Sequence, residues 1–157
     1  MLQLTRNWLQ TFVPLALSIG VRERLYGCLG AFIGLLCSEW VARHILAGFN
    51  PWFIAPMGAS AVLLFAVPTA PMAQPWPIVG GNLVSGLIGV ACAHWLGCGG
   101  LSAALAAALA IGAMFQLRCL HPPGGAVAVS AVLGGPAIGQ LGLGFVFGPV
   151  LINSVLM

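Results

Sequence analysis

The chain contains no lysine and no aspartate. Its charged side chains are five arginines and two glutamates, 4% of 157 residues. An ordinary soluble domain carries about 25%. Hydrophobic residues make up 61% and the mean hydropathy is +1.08. A soluble fold cannot hide that much apolar surface, so the expected solvent is lipid. The arginines, Arg6, Arg22, Arg24, Arg43 and Arg118, are scattered along the chain. That spacing excludes a nucleic-acid footprint and reads instead as a set of topology markers. Without aspartate, lysine or an acidic pair, the sequence shows no catalytic constellation. A GxSxG elbow and a phosphate-binding glycine loop with lysine are also missing, so an enzyme is not expected. None of Cys28, Cys37, Cys92, Cys98 and Cys119 stands in a CxxC pair. They read as packing residues, and no metal or cofactor is expected.

What remains is apolar sequence punctuated by 22 glycines and 11 prolines. A spanning helix needs ~20 apolar residues, which leaves room for roughly five or six crossings. Residues 1–24, with Trp8, Pro14 and Arg22-Glu23-Arg24, read as a cytoplasmic or interfacial segment rather than a cleaved signal. Residues 25–157 read as the transmembrane domain. Segment one is expected from Leu25 to Ala47, with Glu39 and Arg43 spaced to neutralise each other on one face. Segment two, Phe53 to Val67, is short. Pro68 to Pro77 holds four prolines and reads as a loop. Segment three is expected from Ile78 to Trp95, a turn at Gly97-Cys98-Gly99-Gly100, and segment four from Leu101 to Leu117. A short segment five begins at His121 and ends near Gly134-Gly135-Pro136, and segment six runs from Gly139 to Met157. It ends without a charged or aromatic flank, so the natural chain is expected to continue. Pairs such as Gly30/Gly34 and Ser85/Gly89 predict close helix approaches.

Shifted by 66 residues, Ala55 to Val62 falls on His121 to Ala128, and Gln74 on Gln140. Each half then reads long helix, proline-started short helix, long helix. The expected architecture is an all-α, compact integral membrane bundle of two such repeats. With three crossings per half the repeats are inverted, as in many transporters, whose short or Gly/Pro-interrupted segments mark the substrate site. With re-entrant short helices they are parallel. Three N-terminal arginines and Arg118 on one side favour six crossings.

The two proline-started segments carry the functional expectation. Proline is tolerated in a first turn because its missing N–H has no helical partner there. Helix N-termini offer unpaired donors and partial positive charge, an anion site. Two such starts, at Pro56 and Pro122, can converge on one small anion. The competing reading makes both simply helix starts beside loops. His121 can donate to an anion, take up a proton or bond a nearby carbonyl. Arg118 is an interfacial anchor or a buried partner for carbonyls or substrate. Asn82, Asn153, Ser60, Ser85 and Gln116 either line a path or join helices.

The stretch His121-Pro122-Pro123-Gly124-Gly125-Ala126 resembles the signature of the HPP family of integral membrane proteins. Pro56 to Phe65 is similar to that family's PMGASAVLLF-like segment. Ala73-Gln74-Pro75 with Gly80-Gly81-Asn82, and Gly148 to Asn153, resemble two further family regions. The resemblance covers the chain from about Leu25 onward. It implies a compact bundle, usually described as four transmembrane helices. Plant chloroplast and cyanobacterial relatives are associated with nitrite transport, and some bacterial relatives carry C-terminal CBS domains. Lacking a serine- and arginine-rich transit peptide, the chain is expected in a bacterial cytoplasmic membrane.

The combined expectation is a channel or transporter for a small monovalent anion, nitrite first. Its site is built from Met57, Gly58, Ala59 and Ser60 with His121, Pro122, Pro123, Gly124 and Gly125. Asn82 and Asn153 line the path, and Arg118 or His121 attracts the ion. The partners expected are the bilayer, the anion and a second copy of the chain. The alternative is a membrane sensor or scaffold that moves nothing.

Overall fold

The computed structural model describes residues 19–45 and 54–157. The segment through residue 18, the stretch 46–53 and the Arg43 side chain, with its expected pairing to Glu39, lie outside the described residues. Among the described residues the structure is helices and turns, with no strand.

Helix α1, Val21–Ile45, is 25 residues or roughly 37 Å long. It starts four residues before Leu25, so Arg22, Glu23 and Arg24 form its first turn. Glu23 Oε2 accepts the Gly20 N–H at 3.1 Å, and Arg24 Nε donates to the Ile19 carbonyl at 3.1 Å. Then come α2, Ala55–Ala66, a 3-10 turn at Pro71–Ala73, and α3, Pro75–Leu96. The proline stretch is thus not all loop. Pro75 and Pro77 fall in the first turn of α3, where a missing N–H costs nothing. Gly97, at φ +82, turns the chain into α4, Gly100–Gln116. α5 is Pro122–Leu133, α6 is Gly135–Leu141 and α7 is Leu143–Leu156. The single C-terminal helix expected from Gly139 is broken. Gly142 takes φ +50, and a π-helical turn at Val146–Val150 accommodates Pro149, which has no N–H to donate.

Among the described residues, α3 is the one helix long and apolar enough to cross a membrane alone. α5 and α6 suffice only together, and they bend by 97°. α2 and α5 have 12 residues each, roughly 18 Å against a hydrocarbon core of ~30 Å. Lengths run long–short–long through α1, α2 and α3, but α4 to α7 give four helices, the last of them interrupted, so the two halves show no helix-for-helix match.

Helices α3, α4 and α5 pack on one another, and small residues set their approach. A Cβ at Gly89 would lie 2.6 Å from the Ala128 carbonyl oxygen and 2.7 Å from Ala131 Cβ. One at Gly81 would lie 2.6 Å from the Cys119 carbonyl oxygen. The Gly30/Gly34 pair works differently, as α1 there receives the Phe65 ring of α2 rather than another backbone. The core joins Ile54 and Met57 to Val127, Phe145 and Val150. The outer surface is apolar: Leu25, Leu29, Phe32 and Leu36 on α1 and Leu101, Leu105 and Leu109 on α4 are exposed. The five thiols are free, but only Cys92 and Cys119 are packed; Cys28, Cys37 and Cys98 lie on the surface, against the packing expectation.

Candidate functional site

Polar side chains collect inside this apolar shell. Ser60, Asn82, Ser85, His121 and Asn153 are all buried to within 1% of full enclosure. Most face one element, α3. Its helical spacing turns Gly81, Ser85 and Gly89 toward α5, and Asn82 and Gly86 toward α7.

His121 caps the start of α5 from an extended conformation, as a residue before proline must. Its ring sits between α2 and the proline loop. Nδ1 lies 2.8 Å from the Met72 carbonyl oxygen, and a carbonyl can only accept, so Nδ1 carries the proton. In the neutral ring Nε2 then holds a lone pair, and Ser60 Oγ donates to it at 2.8 Å. This joins two of the expected site residues directly. It also supplies the Ser–His pairing that spacing alone concealed, 61 residues apart in sequence. The distance suits a nucleophile and its base. Both groups are enclosed in the bundle.

Some donors of the expected anion cradle are accounted for at the two helix starts. Of the first N–H positions of α5, Pro122 and Pro123 have none, and Gly124 donates to the His121 carbonyl at 2.8 Å. The His121 N–H is turned to Met114 Sδ at 3.5 Å. At α2, Pro56 has no N–H and Met57 donates to the Ile54 carbonyl at 2.9 Å. The two starts do not meet head to head either. Ser60 in mid-α2 sits beside the start of α5, while Ile54 and Met57 join the cluster of Val127 and Ala131 further along it. The short helices therefore lie side by side and antiparallel, with the Ser60–His121 bond between them.

The other expected residues divide cleanly. Gly124 is a packing residue: a Cβ there would lie 2.7 Å from Ser85 Oγ and 3.0 Å from the Gly81 carbonyl oxygen. Pro123 and Met57 are buried core. Gly58 and Gly125 are half-buried, with nothing within 4 Å of where a Cβ would stand, and Ala59 and Pro122 are exposed. Arg118 is exposed, beyond the end of α4, and adopts φ +54. Its N–H and that of Cys119 close the helix on the Phe115 and Met114 carbonyls, a Schellman ending with arginine in place of glycine. This is the anchor position rather than a buried partner. Trp76 Nε1 donates to the Leu117 carbonyl at 3.1 Å, tying the start of α3 to the same end.

Asn82 brings the remaining feature. Its Nδ2 donates to Ser154 Oγ at 3.0 Å, and Ser154 in turn donates to the Val150 carbonyl at 2.7 Å. Asn82 Oδ1 has no partner; with Ser38 Oγ it is one of two such buried atoms among the described residues. A buried acceptor left unpaired costs about 1–3 kcal/mol. Ser154, Met72 and Met114 were not expected at the site. Ser154 follows Asn153 on an otherwise apolar helix, a signal that sequence did offer. Met72 acts through its backbone and Met114 through a thioether that also receives Ser85 Oγ at 3.7 Å, and no side-chain pattern announces either role. Two open grooves of about 420 and 400 Å³ lie at Leu36, Cys37, Trp40 and Val41 and at Cys98, Gly135, Pro136, Gly139 and Gln140. Neither is lined by Ser60, Asn82 or His121.

An apolar exterior around buried polar side chains, on helices joined by small residues, defines an α-helical integral membrane protein. The family comparison agrees. The model of the HPP transmembrane region matches residues 16–157, and the chain belongs to that family. It is similar to two proteins of Dictyostelium discoideum, each named a transmembrane protein. Both are 34% identical over 134 residues, which cover 82% of this chain and 47% and 43% of theirs. The chain thus spans less than half the length of these relatives. No solved structure matches.

Proposed function

We propose that the chain is a membrane transporter for a small monovalent solute, with nitrite the first candidate, rather than an enzyme. The observation that carries this reading is the unpaired Asn82 Oδ1 on the α3 face turned to α7, one of two buried polar atoms without a partner among the described residues. A buried acceptor without a partner is costly, and a solute that donates a hydrogen bond would complete it. The path follows the α3–α7 seam, along Asn82, Gly86 and Ser154. It is closed in this conformation. Helix α7 is the element that opens it, because the breaks at Gly142 and in the π-helical turn weaken its internal ladder. An inverted relation of the two halves, a bacterial cytoplasmic membrane and a paired copy of the chain belong to this reading. The enclosure of His121 favours one rival, a sensor or scaffold that passes nothing.

The test is entry of nitrite into vesicles carrying the purified protein, with nitrate, formate and chloride alongside. Protein-dependent nitrite entry above that of empty vesicles is the expected result. Equal entry for all four solutes with and without protein contradicts transport and leaves the sensor reading.

A further inference from the structure

We infer that the solute passes Asn82 as a neutral, protonated weak acid, its O–H donating to Asn82 Oδ1, and not as a bare anion. The inference rests on the transport reading above and specifies the form of the solute.

Charge comes first. The elements packed on α3 are the 3-10 turn, α4, α5 and α7. None of them carries a charged or titratable side chain. The titratable groups nearby are His121 at the cap of α5, with both ring nitrogens engaged, Cys119 before it, and Cys92 and His94 near the far end of α3 itself. Arg118 is exposed at the end of α4, and Arg22 and Arg24 are exposed in the first turn of α1. Among the described residues no cation faces Asn82; α1, which packs on α7, carries Glu39. Loss of hydration strongly opposes moving a bare anion into such surroundings. A neutral acid avoids that cost.

Hydrogen bonding gives the second, independent argument. Several donors near the start of α5 are missing or engaged. Pro122 and Pro123 have no N–H, Gly124 is bonded to His121, Ser60 to Nε2, and Nδ1 to Met72. Of the two buried atoms without a partner among the described residues, Ser38 Oγ and Asn82 Oδ1, the one on α3 is an acceptor, Asn82 Oδ1. An anion placed against a carbonyl oxygen is repelled, whereas an acid O–H completes it. Asn82 Nδ2 has a second hydrogen beyond the one given to Ser154. One amide can therefore meet both the O–H and the double-bonded oxygen of nitrous acid. The balance is simple. Nitrite and a proton combine at the entry face, nitrous acid crosses, and the O–H bond breaks again at the exit face. One anion and one proton move together with no net charge.

Vesicles carrying the intact protein, a pH dye inside and equal nitrite outside test this, with empty-vesicle entry subtracted. The expected initial rate falls about tenfold for each unit rise in external pH, following the acid fraction. A potential set with potassium and valinomycin leaves it unchanged, and the interior acidifies in step with nitrite. Asn82→Leu, close in volume, is expected to lower the protein-dependent rate at least tenfold. If Asn82→Leu does not fold, the pH and potential series on the unaltered protein still decides the solute's form. A rate indifferent to pH and raised by an inside-positive potential overturns the inference and leaves transport standing. No protein-dependent entry at any pH overturns both.

Discussion

Replacing Gly89 with alanine adds one methyl group at the closest approach of α3 and α5. The new Cβ would lie 2.6 Å from the Ala128 carbonyl oxygen, 2.7 Å from Ala131 Cβ and 2.9 Å from Ala128 Cα. Two of these three obstacles are backbone and cannot rotate away. Restoring an ordinary C···O contact of about 3.3 Å requires the helices to part by about 0.7 Å. Overpacking of this kind costs ~1–3 kcal/mol, and a rigid obstacle places it at the upper end. Alanine recovers up to ~1 kcal/mol through its helix propensity. The net expectation is a loss of about 2 kcal/mol. Gly112→Ala is the control, because nothing lies within 4 Å of its Cβ position on the exposed face of α4. It is expected to be neutral or to stabilise by up to ~1 kcal/mol. Thermal unfolding in one detergent, followed by the fraction that stays monodisperse, compares them. Equal midpoints for Gly89→Ala and Gly112→Ala would refute the claim that small residues set the α3–α5 contact.

Three further outcomes follow from single contacts. Arg118→Gly relieves a left-handed backbone at φ +54 and is expected to stabilise by about 1 kcal/mol, read as a raised midpoint. His121→Ala leaves the Ser60 hydroxyl and the Met72 carbonyl without partners and opens a void. A loss of ~2–4 kcal/mol is expected, with Ser60→Ala losing about 1 kcal/mol. Phe65→Ala empties the groove of Gly30 and Gly34, and a loss of about 2 kcal/mol should appear with earlier protease cleavage around α1.

The helices were legible because proline and glycine mark their ends. Segment four was expected from Leu101 to Leu117 and is Gly100–Gln116, and the turn at Gly97 is where the glycines place it. Expectation failed where local punctuation has two meanings. Pro75 and Pro77 read as loop residues but open α3, and Gly142 with Pro149 breaks a segment that hydropathy treats as continuous. At the site, the residue choices His121, Ser60, Asn82 and Asn153 stand as buried groups. The expected amide donors were inferred from helix starts in general. At these particular starts part of the donor set is taken up, with proline in place of N–H and a 2.8 Å bond from Gly124 back to His121. The Ser60–His121 and Asn82–Ser154 pairs join residues 61 and 72 apart, and such partners are set by packing that one sequence does not display.

The seam between α3 and α7 can be locked and released in one molecule. A Cβ at Gly86 would lie 3.4 Å from Val146 Cγ2, one turn from Asn82. That contact suits a disulfide in Gly86→Cys/Val146→Cys, made with the native cysteines replaced. Nitrite entry into vesicles should be present with the thiols reduced, vanish on oxidation and return with reductant. Entry that is the same with the bond formed and broken would contradict passage along this seam.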